Sequence, residues 1–216
     1  MPRLWASWKE AGARIHDALL GEPDPPEDER MRDGTLCLLL RRHPRSQILL
    51  GWKKHGFGSG KWGGFGGKSE PGEALATAAV RELQEEAGVQ VSEADLHCVA
   101  KLSFCFPFRP EWSQVVHVFV VWQWEGEPRE TEEMAPAWFS LDEIPYDGMW
   151  DDSRYWLRRL LDGECITARF LLGCDNETVD WLEVRPAQDQ GLPAPNCVHA
   201  GENGGRVQRP TQTTAR

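Results

Sequence analysis

The feature that most constrains the fold of this chain is a glycine-rich segment followed directly by a helical pattern. Residues 61–68 read Lys-Trp-Gly-Gly-Phe-Gly-Gly-Lys, and glycines at this density let a backbone approach a ligand closely. The spacing over residues 74–86 predicts an amphipathic helix, and Gly88 can adopt the left-handed conformation that ends such helices. The pattern therefore predicts a loop and a helix with room for a phosphate group between them.

The polar face of that helix carries three glutamates, opposite an apolar face that contains Leu83. Glu82, Glu85 and Glu86 stand at positions i, i+3 and i+4, which brings their carboxylates within reach of one point. Acidic runs are more often solvated stripes on a surface helix. Here, however, neighbouring carboxylates repel one another unless cations gather, and hard divalent ions prefer oxygen ligands. We therefore expect a magnesium site beside the glycine-rich loop.

The composition argues against several other classes of function. A formal net charge of −10 argues against binding of a nucleic acid polymer, because neutralising backbone phosphates requires clustered Lys and Arg. A small phosphorylated substrate is still compatible, since a bound metal can supply the positive charge. The sequence has no apolar stretch long enough to cross a membrane and no secretory signal, so we expect a cytoplasmic protein without a membrane partner. The six cysteines include no close pair of the kind that zinc sites use.

The chain divides into an extension, one domain and a tail. Residues 1–30 form the extension, with a helical stripe that we expect to pack on the domain and a proline-rich linker from residue 21; the stripe consists of Trp5, Trp8, Ala11, Ile15 and Leu19. Residues 31–186 have the size of one domain. Residues 187–216 are poor in large apolar groups, which predicts a disordered tail. We expect the protein to be a monomer.

Within the domain, strands and helices mix without strict alternation, as in α/β folds. The apolar patterns predict strands at residues 35–40, 47–52, 98–106, 115–124 and 136–141, with a turn at His43 and Pro44 and a second helix at residues 153–161.

The residues of the loop and helix match a known family motif. The Nudix box, G-x5-E-x7-R-E-U-x-E-E-x-G-U with U an aliphatic residue, is matched at every position, by Gly67, Glu73, Arg81, Glu82, Leu83, Glu85, Glu86, Gly88 and Val89. Over about residues 34–185 the chain is similar to the mammalian MutT-homologue type of this family, the oxidised-purine nucleoside triphosphatases. The segments that carry this similarity are residues 56–62, 65–68, 116–119, 133–134, 138–139, 144–145 and 149–150.

This resemblance implies an α/β/α sandwich around a mixed sheet and a Mg²⁺-dependent hydrolase, with Mn²⁺ as a possible substitute. The metal ligands so implied are Glu82, Glu85 and Glu86, completed by the main-chain carbonyl of Gly66 and by Glu133. Arg81 would orient a glutamate, and Glu73 would brace the loop. A metal-activated water would attack the triphosphate to give a nucleoside monophosphate and pyrophosphate, which would sanitise the nucleotide pool. Among the carboxylates we choose Glu86 as general base, followed by Glu82.

The resemblance also implies the substrate contacts. Thr35, Lys53 and the segment formed by Phe65, Gly66, Gly67 and Lys68 would bind phosphate and sugar, although an exposed lysine such as Lys53 is often only a solvated surface group. Trp150 would stack on the base, and the acids after it, Asp151 and Asp152, would read its edge.

Two departures from the pattern concern the base. Gly63 replaces an asparagine of the family, and one residue is missing between Trp150 and the acids. The two residues that would read the edge of the base are therefore either Asp152 with Ser153, or Asp151 with Asp152. Such an acid donates a hydrogen bond when protonated and accepts one when ionised, so it suits several oxidised purines.

Two other functions are compatible with the box. One is hydrolysis of another diphosphate compound, such as a nucleotide sugar, a dinucleoside polyphosphate or a diphosphoinositol compound. The other is a catalytically silent domain that binds a nucleotide or a protein partner. The segment 150–152 and the loop 61–68 extend beyond the generic box and favour the purine triphosphate type, with a small nucleotide as substrate.

Overall fold

A mixed β-sheet of eight strands forms the centre of the molecule, as described by a computed structural model over residues 31–42 and 45–187. The strands are β1 (Arg32–Arg41), β2 (Gln47–Lys53), β3 (Trp62–Gly63), β4 (Leu96–Cys105), β5 (Gln114–Val121), β6 (Met134–Ser140), β7 (Ile166–Leu172) and β8 (Val179–Pro186). The helices are α1 (Leu75–Glu86) and α2 (Ser153–Leu161).

The strand order is β3-β2-β1-β5-β4-β7-β8, and β6 pairs with β2. β1 runs parallel to β5 and β4 runs parallel to β7, whereas the other pairs are antiparallel. The continuous apolar run in β1 explains its central place, because a strand covered on both faces needs apolar residues at successive positions.

Two hydrophobic clusters lie on opposite faces of this sheet. On one face α1 packs through Ala79 and Leu83 against residues of β1, β2 and β5. On the other face α2 packs through Trp156, Leu157 and Leu160 against a larger cluster from β1, β2, β4, β5 and β7. The predicted α/β class and mixed sheet are therefore confirmed. Neither described helix is long and apolar enough to cross a membrane.

Each predicted strand and helix of the domain is present with shifted bounds, except that α2 has the predicted bounds. β5 ends at Val121 rather than at residue 124, because residues 122–124 leave the sheet. The sequence reading missed β7 and β8, although every second residue of β7 from Ile166 to Leu172 is buried. The predicted N-terminal helix, the turn at residues 43–44 and the tail beyond residue 187 lie outside the described residues. The three-part division of the chain stays a prediction.

Candidate active site

The glutamates of α1 occupy three different environments. α1 buries Ala78, Ala79 and Leu83, and this fixes how far each glutamate is turned toward the protein. The Glu85 side chain is 59% exposed, whereas that of Glu82 is 13% exposed and that of Glu86 only 2% exposed. Burial raises the pKa of both Glu82 and Glu86 above the ordinary value. The helix therefore presents two shielded carboxylates and one that faces water.

The glycine-rich loop passes so close to these carboxylates that side chains are excluded. A Cβ atom on Gly67 would lie 2.4 Å from Oε1 of Glu82, and one on Gly66 would lie 2.1 Å from the carbonyl oxygen of Thr35. Gly66 also has a φ of 155°, which L-residues rarely adopt. Its N–H donates to Oε2 of Glu86 at 2.8 Å. Glycine is thus required here by contact with the backbone of β1 and with the box carboxylates.

Lys53 lies at the centre of the acidic group. Its Nζ donates to Oε1 of Glu86 at 2.6 Å and to Oε2 of Glu133 at 2.7 Å. Burial lowers the pKa of Lys53, but these two hydrogen bonds outweigh it and the pKa rises. The same contact lowers the pKa of Glu133. Lys53 is therefore not a solvated surface lysine: it joins the end of β2 to α1 and to the residue before β6.

Arg81 organises the remaining acids. Its Nε and Nη2 each donate to Glu73 at 3.0 Å, while Nη1 donates to Glu82 at 2.8 Å and to Glu85 at 3.3 Å. Hydrogen bonding to Arg81 lowers the pKa of Glu73, which also accepts the N–H of Glu70 and so closes the turn before α1. Arg81 thus contacts Glu73, Glu82 and Glu85, and Glu73 connects Arg81 to the turn at Glu70.

The donor set suits a hard divalent cation, because every candidate ligand is a carboxylate or carbonyl oxygen. Within residues 31–42 and 45–187, no three Asp, Glu, His or Cys side chains already surround one point. The candidate carboxylates are paired instead with cationic side chains: Lys53 contacts Glu86 and Glu133, and Arg81 contacts Glu82. A divalent ion would compete with these two cations for the same oxygens.

The other expected phosphate contacts have structural roles of their own. Thr35 is buried, and its N–H donates to the carbonyl of Gly67 at 2.8 Å. The ring of Phe65 is fully buried in the α1-side cluster, and its backbone pairs with Cys37 in both directions. The Phe65 ring therefore packs in the core beneath the loop and is not available at its surface. Lys68, by contrast, is exposed.

An aromatic wall lies at the far end of the β2–β3 hairpin. Trp150 stacks on Phe57 with ring centroids 5.1 Å apart, and Phe106 and Trp112 pack edge-on around Phe57. The Nζ of Lys61 lies 4.9 Å from the Trp150 ring. Trp112 and Lys61 were not singled out from the sequence as parts of this wall, because an aromatic or basic residue in a loop carries no signal of its own. Phe104 and Trp156 do not belong to this wall: both pack within the cluster under α2.

The two acids after Trp150 differ sharply. Asp151 uses both oxygens within the protein: Oδ2 accepts the N–H of Val179 at 3.0 Å, and Oδ1 pairs with Arg154 at 3.1 Å. Asp152 is 6% exposed, and its Oδ2 accepts the indole N–H of Trp156 at 2.7 Å. Burial raises the pKa of Asp152 from 3.8 to about 6.

Gly63, where the family has asparagine, lies on β3, between Lys61 of the aromatic wall and the glycine-rich loop at Gly66. A Cβ atom at this position would meet nothing within 4 Å. The missing amide is therefore not the result of a steric conflict.

Comparison with known proteins shows the family of this chain. The NUDIX domain family matches residues 30–160. The oxidized purine nucleoside triphosphate hydrolase of Mus musculus is 44% identical over 136 residues, which are 63% of this chain and 83% of the relative. The protein of the same name from Danio rerio is 45% identical over 126 residues, 58% of this chain and 78% of the relative.

Among solved structures, a MutT protein from Bacillus halodurans superposes with a TM-score of 0.62. It is 22% identical and covers 73% of this chain and 100% of its own, so it supports the fold alone. The resemblance found in the sequence is confirmed. The chain belongs to the Nudix family, and within it is similar to the oxidised-purine nucleoside triphosphate hydrolases.

Proposed function

We propose that this Nudix protein hydrolyses oxidised purine nucleoside triphosphates to the monophosphate and pyrophosphate, with Mg²⁺ as cofactor, and so removes damaged precursors from the nucleotide pool. The observation that carries the proposal is the position of Glu86. Its carboxylate is buried between the N–H of Gly66 and the ammonium group of Lys53. The backbone of Thr35 leaves no room for a side chain at Gly66. The mouse and zebrafish relatives are named for this activity.

Glu82, Glu85, Glu86, Glu133 and the carbonyl of Gly66 are the groups that would hold the Mg²⁺ ion. When bound, the ion supplies positive charge to the phosphates and makes a nearby water more acidic. Glu86 accepts the proton of the attacking water, a role that suits a carboxylate whose pKa is raised by burial. Lys53 and Gly66 fix the orientation of that carboxylate. Arg81 holds Glu82, and Glu73 holds Arg81.

The purine would be recognised at the aromatic wall. Trp150 offers a flat ring for stacking, with Phe57 as its neighbour. Asp152 is the acid that reads the base, together with Ser153, because both oxygens of Asp151 are already used by Val179 and Arg154. The Asp152 pKa of about 6 keeps both the donating and the accepting form accessible near neutral pH. Asp151 then acts as a brace between β8 and the start of α2.

The test measures pyrophosphate release with Mg²⁺ from 8-oxo-dGTP, 2-hydroxy-dATP and dGTP, and monophosphate release from ADP-ribose and diadenosine polyphosphate. Glu86→Gln should lower kcat by about 10²- to 10⁴-fold on every substrate, because it removes the proton acceptor. The matched control is Glu143→Gln, an exposed acid outside the site, which should leave turnover unchanged.

Faster turnover of the oxidised purines by the wild type, together with loss of turnover in Glu86→Gln but not in Glu143→Gln, supports the proposal. Faster turnover of ADP-ribose or of the dinucleotide would keep the acidic site and overturn the assignment of the base. No turnover of any compound would indicate a silent binding domain.

A further inference from the structure

One face of the sheet buries residues that neither hydrophobic cluster contains. On β4 and β7, Leu102 and Phe170 point toward the cluster under α2. Their sequence neighbours Ser103 and Leu171 must point to the opposite face, because side chains alternate along a strand. Ser103 and Leu171 are each 7% exposed, yet Leu171 belongs to neither cluster. Something other than the two cores shields this face from water.

Neither described helix provides that cover. α2 packs on the other side of the sheet. α1 lies on the same side, but its cluster contains no residue of β7 or β8. The face in question extends over β4, β7 and β8 and includes Cys105, Leu171 and Trp181, which are adjacent in the strand registers. Among residues 31–42 and 45–187, the sheet therefore has a helix over only half of this side.

The chain before residue 31 is well placed to supply the cover. Arg32 pairs with Gln114, Gln114 with Phe104, and Phe104 with Phe170. The start of β1 and the end of β7 therefore lie at the same end of the strands. Three strand spacings separate them, about 14 Å. The ten residues from 21 to 30 can span about 33 Å. By contrast, β8 ends beside Cys165, at the opposite end of the strands.

We propose that residues 1–20 form a helix that docks on this face, beside α1, and completes the helical layer on this side of the sheet. The docking surface is the patch of Ser103, Cys105, Leu171 and Trp181. The helix would present the stripe of Trp5, Trp8, Ala11, Ile15 and Leu19, whereas Glu10 and Asp17 lie on its other side. A second copy of the chain or the tail beyond residue 187 are the competing occupants.

Docking there also bears on the aromatic wall. Cys105 lies on the docking surface, and the next residue, Phe106, packs against Phe57 and Trp150. The extension therefore supports the root of the loop that carries Phe106 and Trp112. This consequence rests on the proposed function, but the docking itself does not.

Hydrogen exchange on the full chain tests the docking without any substrate. In Trp5→Ala/Trp8→Ala, the amides of β7 and β8 should lose about tenfold or more in protection, while those of α1 stay unchanged. Glu10→Ala/Asp17→Ala is the matched control and should exchange like the wild type. Leu171→Glu, made on the docking surface, should reduce the protection of residues 4–19.

Unchanged exchange of β7 and β8 in the double tryptophan variant would overturn the proposal. So would protection that depends on protein concentration, which indicates a second copy. In the activity assay, the same variant should raise KM for an oxidised purine triphosphate about three- to tenfold, with kcat little changed. An unchanged KM together with lost protection would remove the link to the aromatic wall and leave the docking standing.

Discussion

The phosphate end and the base end of the candidate site are built in different ways. At the phosphate end, the loop and α1 lie within one continuous segment; the backbone of Thr35 excludes a side chain at Gly66, and the carboxylate of Glu82 lies against Gly67. The base end is assembled from three separate segments, which carry Phe57, Phe106 with Trp112, and Trp150. Both departures from the family pattern concern the base end. A site fixed by backbone geometry tolerates little change, whereas one made of side chains from several segments can vary.

The largest expected effect comes from breaking the phosphate end with Gly66→Ala. The new Cβ would lie 2.1 Å from the carbonyl oxygen of Thr35, so the loop or β1 must move. We expect the free energy of unfolding to fall by about 3 kcal/mol or more, with activity lost equally on all substrates. Urea unfolding and the substrate panel provide the measurement.

Gly63→Ala is the matched control in the same loop. Nothing lies within 4 Å of its added Cβ, so its unfolding free energy should stay within about 1 kcal/mol of the wild type. If Gly66→Ala proved as stable as Gly63→Ala, the close approach of loop and strand would be wrong.

A smaller and selective effect is expected at the base end from Trp150→Ala. Stacking of a base on an aromatic ring contributes about 1–3 kcal/mol, so KM for oxidised purines should rise about 5- to 150-fold. Substrates with a small base should be affected less, and the acidic site should still work.

Trp138→Ala serves as the control, because Trp138 stacks on Trp124 in the α1-side cluster, away from the wall. It should lower stability without changing the order of substrates. Equal loss on purine and pyrimidine triphosphates in Trp150→Ala would contradict the stacking role.

The last expected effect is confined to higher pH and concerns Asp152. Its folded-state pKa of about 6 lies above the ordinary value of 3.8. The stabilisation by its neutral form is therefore complete below about pH 4 and is lost as the pH rises through 6. The groups that face it are Trp156, Asp151 and Lys61.

Asp152→Asn mimics the neutral form and keeps an acceptor for the Trp156 indole. At pH 8 we expect it to be more stable than the wild type by up to about 3 kcal/mol, with no difference near pH 4. Urea unfolding at the two pH values measures this. A difference that is the same at both would show that the carboxyl does not titrate in this range.

Much of the site could be predicted because its information is local. The positions of Glu82, Glu85 and Glu86 follow from helical spacing, and the glycine-rich loop is recognised from its own residues, whereas the need for glycine at position 66 comes from contact with Thr35. What was missed depends on distant partners. No strand was predicted for the segments of β3, β7 and β8, although β7 alternates buried and less buried residues up to Phe170. Trp112 and Lys61 join the aromatic wall because of contacts with Phe57 and Trp150.

The sequence by itself therefore determined the family, because the motif depends on residue spacing within one loop and one helix, and the family resemblance implied the class of fold. The tertiary structure decided the different environments of the two acids after Trp150. Asp151 and Asp152 are adjacent in sequence, but one binds the backbone of β8 and the other is enclosed beside Trp156. It also decided that Lys53 joins Glu86 and Glu133, which are far apart along the chain. Contacts of this kind arise when distant strands pack together, so they cannot be predicted from the spacing of neighbouring residues.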